Sequence, residues 1–169
     1  MTMNVTEAIR ARRSIRKYKP DPIPQEHIRL ILEAAMMAPS ACNCRPWEFV
    51  VITDPAVKNE LADNHPYANH LRSCPVGIVV CGRPDLQDHI CPGYFPSDCG
   101  AAVENILLQA LQLGYGTCWC GVHPRPERVE AFKRVLNLDS VPFGLITLGV
   151  ADEAPQARGF YDESRVRYI

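Results

Sequence analysis

The chain has 169 residues, of which 47% are hydrophobic and 22% are charged, and its formal net charge is −1. This composition is typical of a folded globular domain. The near-zero net charge argues against a protein whose overall field attracts nucleic acid. The longest apolar stretches, such as 76–81, are too short to span a bilayer, and no apolar run follows the basic N-terminus as a secretory signal requires. We therefore expect one domain over residues 1–169 in the cytoplasm, with neither a nucleic-acid nor a membrane partner.

The first half of the chain predicts helices, strands and two shorter helical pieces. Asn4 with Glu7 three residues later is a capping-box pattern, which predicts a first helix that ends near Arg13. Pro24 suits the first turn of a second helix, whose apolar face runs through 28–35 before a proline stops it. Strands are expected at 47–52 and 76–81, and short helices at 55–62 and 67–72.

The second half contains the most apolar helix of the chain. We expect Ser97 or Asp98 to cap it, apolar residues recur at helical spacing up to Leu113, and Gly114 ends it. So much of this helix is apolar that it must be buried almost all round or shared with a partner. Further strands are expected at 116–122 and 143–150, a helix at 126–136, and an extended arm over the last nineteen residues.

The order of these elements indicates the fold class. Helices and strands mix without strict alternation, and no Gly-x-Gly-x-x-Gly sequence follows a predicted strand. A doubly wound nucleotide-binding fold is therefore not expected, and the prediction is α+β.

The segment Arg12-Arg13-Ser14-Ile15-Arg16 places four side-chain donors within five residues. Guanidinium groups bind phosphate as planar forks, and a hydroxyl can donate to it as well. A solvated helix end is the plain alternative, since cations favour the negative pole of a helix, and a basic arm on nucleic acid is another. The density of donors favours a phosphate-sized anion.

Two further motifs carry residues that a ligand would contact. In the turn 39–47, Ser40 and Asn43 lie between prolines that would by themselves explain a helix stop and a strand start. In 114–121, Gly121 would let the backbone approach a flat ring, although a buried edge strand with Trp119 in the core is an alternative. One ligand accounts for all three motifs, a nucleotide with a phosphate tail and a planar ring.

In order and residue identity the three motifs resemble the FMN-dependent nitroreductase family in its short form, and the resemblance extends to 162–166 near the C-terminus. It implies an α+β fold with a central, mostly antiparallel sheet of four to five strands flanked by helices, in a dimer with an extended C-terminal arm. It also implies FMN as the cofactor, NADH or NADPH as the co-substrate, and flavin sites at the interface of a homodimer.

The resemblance further implies a phosphate side and a ring side of the flavin site. Arg12, Arg16 and Arg165 would bind the phosphate, and Arg13 and Ser14 would reach the ribityl chain or the pyrimidine edge. The segment Cys118, Trp119, Cys120 and Gly121 would face the ring, with the backbone N–H of Cys120 donated to the flavin N5 atom.

Other residues would complete this site. Pro39, Ser40, Ala41 and Asn43 would contact the partner's flavin, in a loop where Arg45 stands in place of the family's frequent Gln. His70 loosely matches a family position that carries a cationic side chain near the pyrimidine end, although a lone histidine is more often a surface or core residue. Aromatic residues in segments that wall the substrate pocket of similar proteins are Tyr67, Tyr94 and Phe95.

The eight cysteines leave other classes of function open. Cys42 with Cys44 and Cys118 with Cys120 are Cys-x-Cys pairs, which could hold zinc or an iron–sulfur cluster if the four thiols met in space. The spacing is not the usual Cys-x-x-Cys, and no signal indicates an oxidising compartment, so we expect reduced thiols without a metal. A metal or iron–sulfur redox-sensing module remains one alternative, and a non-catalytic flavin carrier is another.

The function that follows from the resemblance is hydride transfer from NADH or NADPH to an electron-poor acceptor, such as a nitroaromatic compound or a quinone, in two half-reactions. The flavin carries out the chemistry and the protein supplies binding and electronics. No catalytic side chain is therefore expected.

Overall fold

The computed structural model describes residues 3–156 and 158–169. Five α-helices lie in these residues: α1 (Val5–Ala11), α2 (Gln25–Met36), α3 (Pro55–Asp63), α4 (Phe95–Gln112) and α5 (Pro126–Leu136). Four strands form one sheet: β1 (Trp47–Ile52), β2 (Val76–Gly82), β3 (Gly116–Gly121) and β4 (Val141–Gly149). Single turns of 3₁₀ helix lie at Ala41–Asn43, Asn69–Arg72, Pro84–Leu86 and Glu163–Arg165.

The sheet has the strand order β1-β2-β4-β3, and every pairing in it is antiparallel. Consecutive strands are joined through helices rather than by hairpins, so the chain crosses the sheet repeatedly without making a parallel pair. The predicted α+β class with a mostly antiparallel sheet is confirmed, at four strands within one chain.

Each face of the sheet carries a hydrophobic core. Side chains alternate along β2, with Ile78 and Val80 on one face and Val79 and Cys81 on the other. Helices α2 and α4 pack over the first face, and α3 and α5 pack over the second. Because both faces are covered, every residue of β2 is buried, which explains its uninterrupted apolar sequence.

Helix α1 ends earlier than the sequence predicts. Its capping box at Asn4 and Glu7 is present, but the helix ends at Ala11 rather than near Arg13. The following residues are extended because Ile15 and Tyr18 turn into the core. The arginines of this segment therefore lie on an extended backbone and not on the end of a helix.

Helix α4 begins at Phe95, so the prediction that Ser97 or Asp98 caps it is wrong. Asp98 is a buried residue inside the helix, and its carboxylate is used in tertiary hydrogen bonds that the sequence pattern does not reveal. At the other end the prediction holds, because Gly114 follows the helix with a left-handed φ of 87°.

The C-terminal residues form an extended arm whose large apolar side chains are exposed. Phe160 and Tyr161 are 76% and 74% exposed, and Tyr168 is 85% exposed. The apolar face of α4 is buried against the sheet and α2, while Leu108 and Leu111 are half-buried. In the part of the chain that the structure describes, no helix has the length and apolar character needed to cross a membrane, and the cytoplasmic location remains a prediction.

We expect Gly116→Ala to destabilise the fold. A Cβ atom at residue 116 would lie 2.8 Å from the Cβ of Ile15, so either the extended segment or the start of β3 must move. Overpacking of this kind costs about 1–3 kcal/mol of unfolding free energy, which urea denaturation measures. Gly121→Ala, in the same strand, is the matched control, since a Cβ atom at residue 121 would meet no atom within 4 Å. Equal stabilities of the two variants would contradict the contact.

Candidate functional site

A cavity of about 830 Å³ lies between the N-terminal basic segment and the C-terminal arm, and its volume is in the size range of small-molecule sites. It is lined by residues from 9–16, 155–156 and 158–161. The cavity brings together four of the predicted site residues, Arg12, Arg13, Ser14 and Arg16. The remaining lining residues are Ile9, Arg10, Pro155, Gln156, Arg158, Gly159, Phe160 and Tyr161. The extended arm therefore forms one wall of the same cavity as the basic segment.

The lining of this cavity is strongly basic. Two carboxylates contact it: Glu104 pairs with the Nε of Arg12 at 3.4 Å, and Glu153 accepts hydrogen bonds from the backbone N–H groups of Arg16 and Lys17. The arginines that line the cavity are Arg10, Arg12, Arg13, Arg16 and Arg158. This excess of guanidinium groups favours an anionic ligand with several oxygen acceptors.

Contacts with the sheet hold the basic segment in place. Ser14 forms a parallel bridge with Thr117, and the backbone N–H of Ile15 donates to the carbonyl of Thr117 at 2.8 Å. The hydroxyl of Tyr18 donates to the carbonyl of Ile15 and lies 2.7 Å from the Oγ1 of Thr147. Burial raises the pKa of Tyr18, so its hydroxyl keeps the proton that it donates.

The backbone of β3 presents alternate residues to its open edge. Val122 donates its N–H to Phe143 on the β4 side, whereas Thr117 accepts from the basic segment on the other side. Antiparallel pairing alternates these directions, so the N–H of Cys120 points to β4 and that of Gly121 points to the open edge. The N–H of Gly121, and not that of Cys120, therefore lies at the open edge of β3.

The other groups around Gly121 agree with this assignment. Its carbonyl accepts hydrogen bonds from the Nε2 of His65 at 2.9 Å and the Nη1 of Arg128 at 3.0 Å. Trp119 faces the side away from the cysteines, 40% exposed and tilted against Phe143 with ring centroids 5.8 Å apart. Gly121 leaves an open approach to the backbone, as the predicted contact with a flat ring requires.

Cys118 and Cys120 project into the second core, where they meet His70. The Sγ of Cys120 lies 3.6 Å from the Nε2 of His70. The neighbouring thiol of Cys120, together with His70 and Arg16, lowers the pKa of Cys118, whereas the neighbouring Cys118 and burial raise the pKa of Cys120.

The predicted phosphate ligand Arg165 lies on the arm outside the cavity lining. Its Nε donates to the carboxylate of Asp162 at 2.9 Å, and its guanidinium group lies 5.7 Å from the ring centre of Phe160. Arg165 is close to the cavity, because Phe160 lines it. The side chain of Arg165 is 75% exposed.

The loop 39–45 is not part of this cavity. Ser40 accepts from the backbone N–H of Arg45 at 2.9 Å, and the side chain of Asn43 accepts from the Nε of Arg45 at 3.1 Å. The predicted loop contacts Pro39, Ser40, Ala41 and Asn43 are absent from the described cavity lining. Within the described residues of one chain, the predicted site residues therefore lie in three places: the cavity, the strand β3 with His70 beside it, and the loop 39–43.

The loop has an unusual backbone that the rest of the protein holds in place. Cys42, Asn43 and Arg45 have φ values of 50°, 54° and 51°, in the left-handed region that non-glycine residues rarely adopt. The buried carboxylate of Asp98 accepts from the N–H of Ala41 at 3.1 and 3.2 Å. Strained loops of this kind are common at functional sites.

Asp98, which the sequence analysis assigned to a helix cap, holds the loop 39–45 from inside α4. Its carboxylate also accepts from the Nε2 of Gln87 at 2.7 Å, and Gln87 is fully buried. A carboxylate next to Cys99 in an otherwise apolar helix could have indicated a buried group with tertiary hydrogen-bond partners, since a buried charge needs polar partners.

The two Cys-x-Cys pairs do not meet. In the described residues, the group of three metal-type ligands with atoms within 4.8 Å of one another is His70, Cys118 and Cys120. Cys44 instead contacts Cys91, with their Sγ atoms 3.7 Å apart. A metal or iron–sulfur module that uses Cys42, Cys44, Cys118 and Cys120 together is therefore wrong for this chain.

The predicted aromatic walls lie in different surroundings. Phe95 packs against Gly82 and the ring of His123, with ring centroids 5.3 Å apart, so it belongs mainly to packing. Tyr67 is 72% exposed beneath the guanidinium group of Arg128, and Tyr94 is 56% exposed. The two tyrosines remain candidates for contact with a ligand.

Comparisons with known proteins agree with this architecture. The model of the nitroreductase family matches residues 9–65 and 64–150. A protein of Methanothermobacter thermautotrophicus, provisionally named NADH dehydrogenase/NAD(P)H nitroreductase, is 41% identical over 166 residues, which cover 97% of this chain and 86% of that protein.

Solved structures match over nearly the whole length. A protein of Parabacteroides distasonis with the same provisional name has a TM-score of 0.91 and 33% identity, covering 96% of each chain. A provisionally named nitroreductase of Desulfovibrio desulfuricans, solved in complex with FMN, has a TM-score of 0.84 and 30% identity, covering 98% of this chain and 96% of that one. These names agree with the predicted class of enzyme, and the predicted fold is confirmed. The chain belongs to the nitroreductase family.

Proposed function

We propose that this chain is an FMN-dependent oxidoreductase, formed as one FMN-binding domain over residues 1–169. It transfers hydride from NADH or NADPH to an electron-poor organic acceptor such as a nitroaromatic compound or a quinone. The observation that carries the proposal is the cavity of about 830 Å³ in which Arg12, Arg13, Ser14 and Arg16 converge. A family relative in complex with FMN supports the same cofactor.

The residues of the cavity fit the phosphate and ribityl parts of FMN. Arg12 and Arg16 supply charged donors for the phosphate, and Arg165 on the adjacent arm adds a third. Arg13 and Ser14 supply donors for the ribityl hydroxyls or the pyrimidine edge. The pairing of this segment with β3 fixes its backbone, so less ordering is needed when the cofactor binds.

The edge of β3 fits the flavin ring. When bound, FMN supplies the ring that takes a hydride from the nicotinamide and passes it to the acceptor. In the proposed site, the N–H of Gly121 at the open edge of β3 would serve as the backbone donor to the ring, in place of that of Cys120. Trp119 lies on one face of the strand near this edge, and His70 lies beside Cys120 on the other face. A preorganised donor at such a position stabilises charge that develops on the reduced ring.

We propose that a second subunit completes each site. Within one chain the loop 39–45 lies apart from the cavity, and Asp98 holds it in a strained conformation with Asn43 exposed. A partner related by twofold symmetry would bring its loop to the flavin and give two equivalent sites. The exposed aromatic residues of the arm, Phe160, Tyr161 and Tyr168, would be covered in such a dimer.

The purified protein should show the absorption of oxidised flavin, and NADH or NADPH should bleach it under anaerobic conditions. A quinone or nitroaromatic acceptor should then restore the oxidised spectrum, because the flavin returns the hydride in a second half-reaction. Stopped-flow absorbance measures both steps. Flavin that binds but is bleached by neither nucleotide would indicate a carrier, and a broad brown spectrum would indicate an iron–sulfur protein.

We expect Arg12→Ala to weaken FMN by about ten- to a hundredfold, since a charge-assisted hydrogen bond contributes about 1.5–3 kcal/mol. Riboflavin lacks the phosphate, so its affinity should hardly change. Fluorescence titration of the apoprotein measures both dissociation constants. Arg29→Ala is the matched control, because Arg29 lies exposed on α2 and pairs with Glu33. An unchanged FMN affinity in Arg12→Ala would show that the basic segment is a solvated surface that does not bind the phosphate.

Subunits with different defects should complement each other if the site is shared. Arg12→Ala and Asn43→Ala should each lose FMN affinity as homodimers. A mixed dimer pairs one intact cavity with one intact loop, so co-refolding equal amounts should restore FMN at about a quarter of all sites. Sedimentation at low micromolar concentration verifies the dimer. No recovery in the mixture, or a folded monomer that retains stoichiometric FMN, would overturn the shared site.

A further inference from the structure

His70, Cys118 and Cys120 form a thiol–imidazole cluster, and the proposed hydride transfer needs the backbone of β3 and not its cysteine side chains. We propose that this cluster is a binding site for a thiophilic metal ion, with Zn²⁺ as the ion that fits its geometry. The three ligand atoms lie within 4.8 Å of one another. The inference does not depend on the flavin or on the acceptor.

The distance between ligand atoms matches a zinc coordination sphere. With Zn–S at about 2.3 Å and Zn–N at about 2.0–2.1 Å, tetrahedral geometry places sulfur and nitrogen about 3.6 Å apart. The Sγ of Cys120 and the Nε2 of His70 are 3.6 Å apart. The third ligand, Cys118, needs only the side-chain adjustment that closes a gap below 4.8 Å.

The fold places these ligands on rigid elements. Cys118 and Cys120 are two residues apart on β3, so their side chains share one face of the strand. His70 comes from the turn Asn69–Arg72, which packs against that face. Cys118 and Cys120 are 2% and 6% exposed, whereas His70 is half-buried and forms the accessible side.

The donor chemistry favours a soft or borderline ion. Two thiolates with one imidazole suit Zn²⁺, whereas Mg²⁺ and Ca²⁺ prefer oxygen ligands. Two thiolates would neutralise a divalent cation, so the buried site would carry no net charge beside the guanidinium group of Arg16, which lies near both thiols. Three protein ligands leave one tetrahedral position for water or a small anion.

Metal binding is measured on the FMN-loaded protein with its thiols kept reduced by a phosphine. We expect one Zn²⁺ per chain in competition with a chromophoric chelator. Removal of a residue that only orients a metal ligand lowers metal affinity by roughly 10–100-fold. Cys118→Ser and His70→Ala remove the ligands themselves, so each should lower the Zn²⁺ affinity by about 100-fold or more. Cys42→Ser is the matched control, because this exposed thiol lies outside the cluster.

Co²⁺ provides a measurement that needs no variant. Tetrahedral cobalt with thiolate ligands absorbs at longer wavelengths than oxidised flavin, so its bands are visible in the flavoprotein. Intense long-wavelength bands that one equivalent of Zn²⁺ removes would support the site. A reduced protein that gives no such bands and binds no Zn²⁺ would overturn it, as would equal Zn²⁺ affinities in the wild type, Cys118→Ser and His70→Ala. None of these outcomes affects the test of hydride transfer.

Discussion

The candidate site depends on the attachment of the extended segment 12–18 to the edge of β3. The bridge between Ser14 and Thr117, the hydrogen bond from Ile15, and the close approach of Gly116 bring basic side chains to a sheet edge. Without this attachment, the arginines would be mobile cations on a surface, and their binding to an anion would carry the full entropic cost of ordering them. The charge of the cavity and the place of the basic segment beside the backbone of β3 both follow from the same contact.

A second constraint acts on the loop 39–45. Three of its residues adopt left-handed backbone conformations that each cost of the order of 1–3 kcal/mol, and a buried carboxylate on α4 helps to hold it. Asp98 is thus linked both to the loop and to the segment that contains Gln87. Such a conformation is not explained by the need to connect α2 with β1, which a relaxed turn would meet. Its separation from the cavity is consistent with a role at a neighbouring subunit.

The residues of β3 lie in three different surroundings, on its two faces and at its open edge. Trp119 faces a surface lined by aromatic rings, the backbone of Gly121 is open at the edge, and Cys118 with Cys120 faces the second core. Period-two alternation in a strand makes this division unavoidable, since neighbouring side chains point to opposite sides. A flavin on the edge and an ion in the core could therefore occupy the same strand without competing for the same atoms.

The sequence by itself determined the type and approximate extent of nearly every element, because capping, helical periodicity and proline stops are interactions between residues a few positions apart. It also determined the family, through motifs whose order and identity are linear properties. Only the tertiary structure decided that Asp98 binds the N–H of Ala41, that Gly121 rather than Cys120 faces the open edge, and that the Cys-x-Cys pairs stay apart. These outcomes depend on contacts between residues far apart in the chain and on the direction in which each strand pairs. No local pattern encodes such contacts, which exist only once the helices and strands have packed.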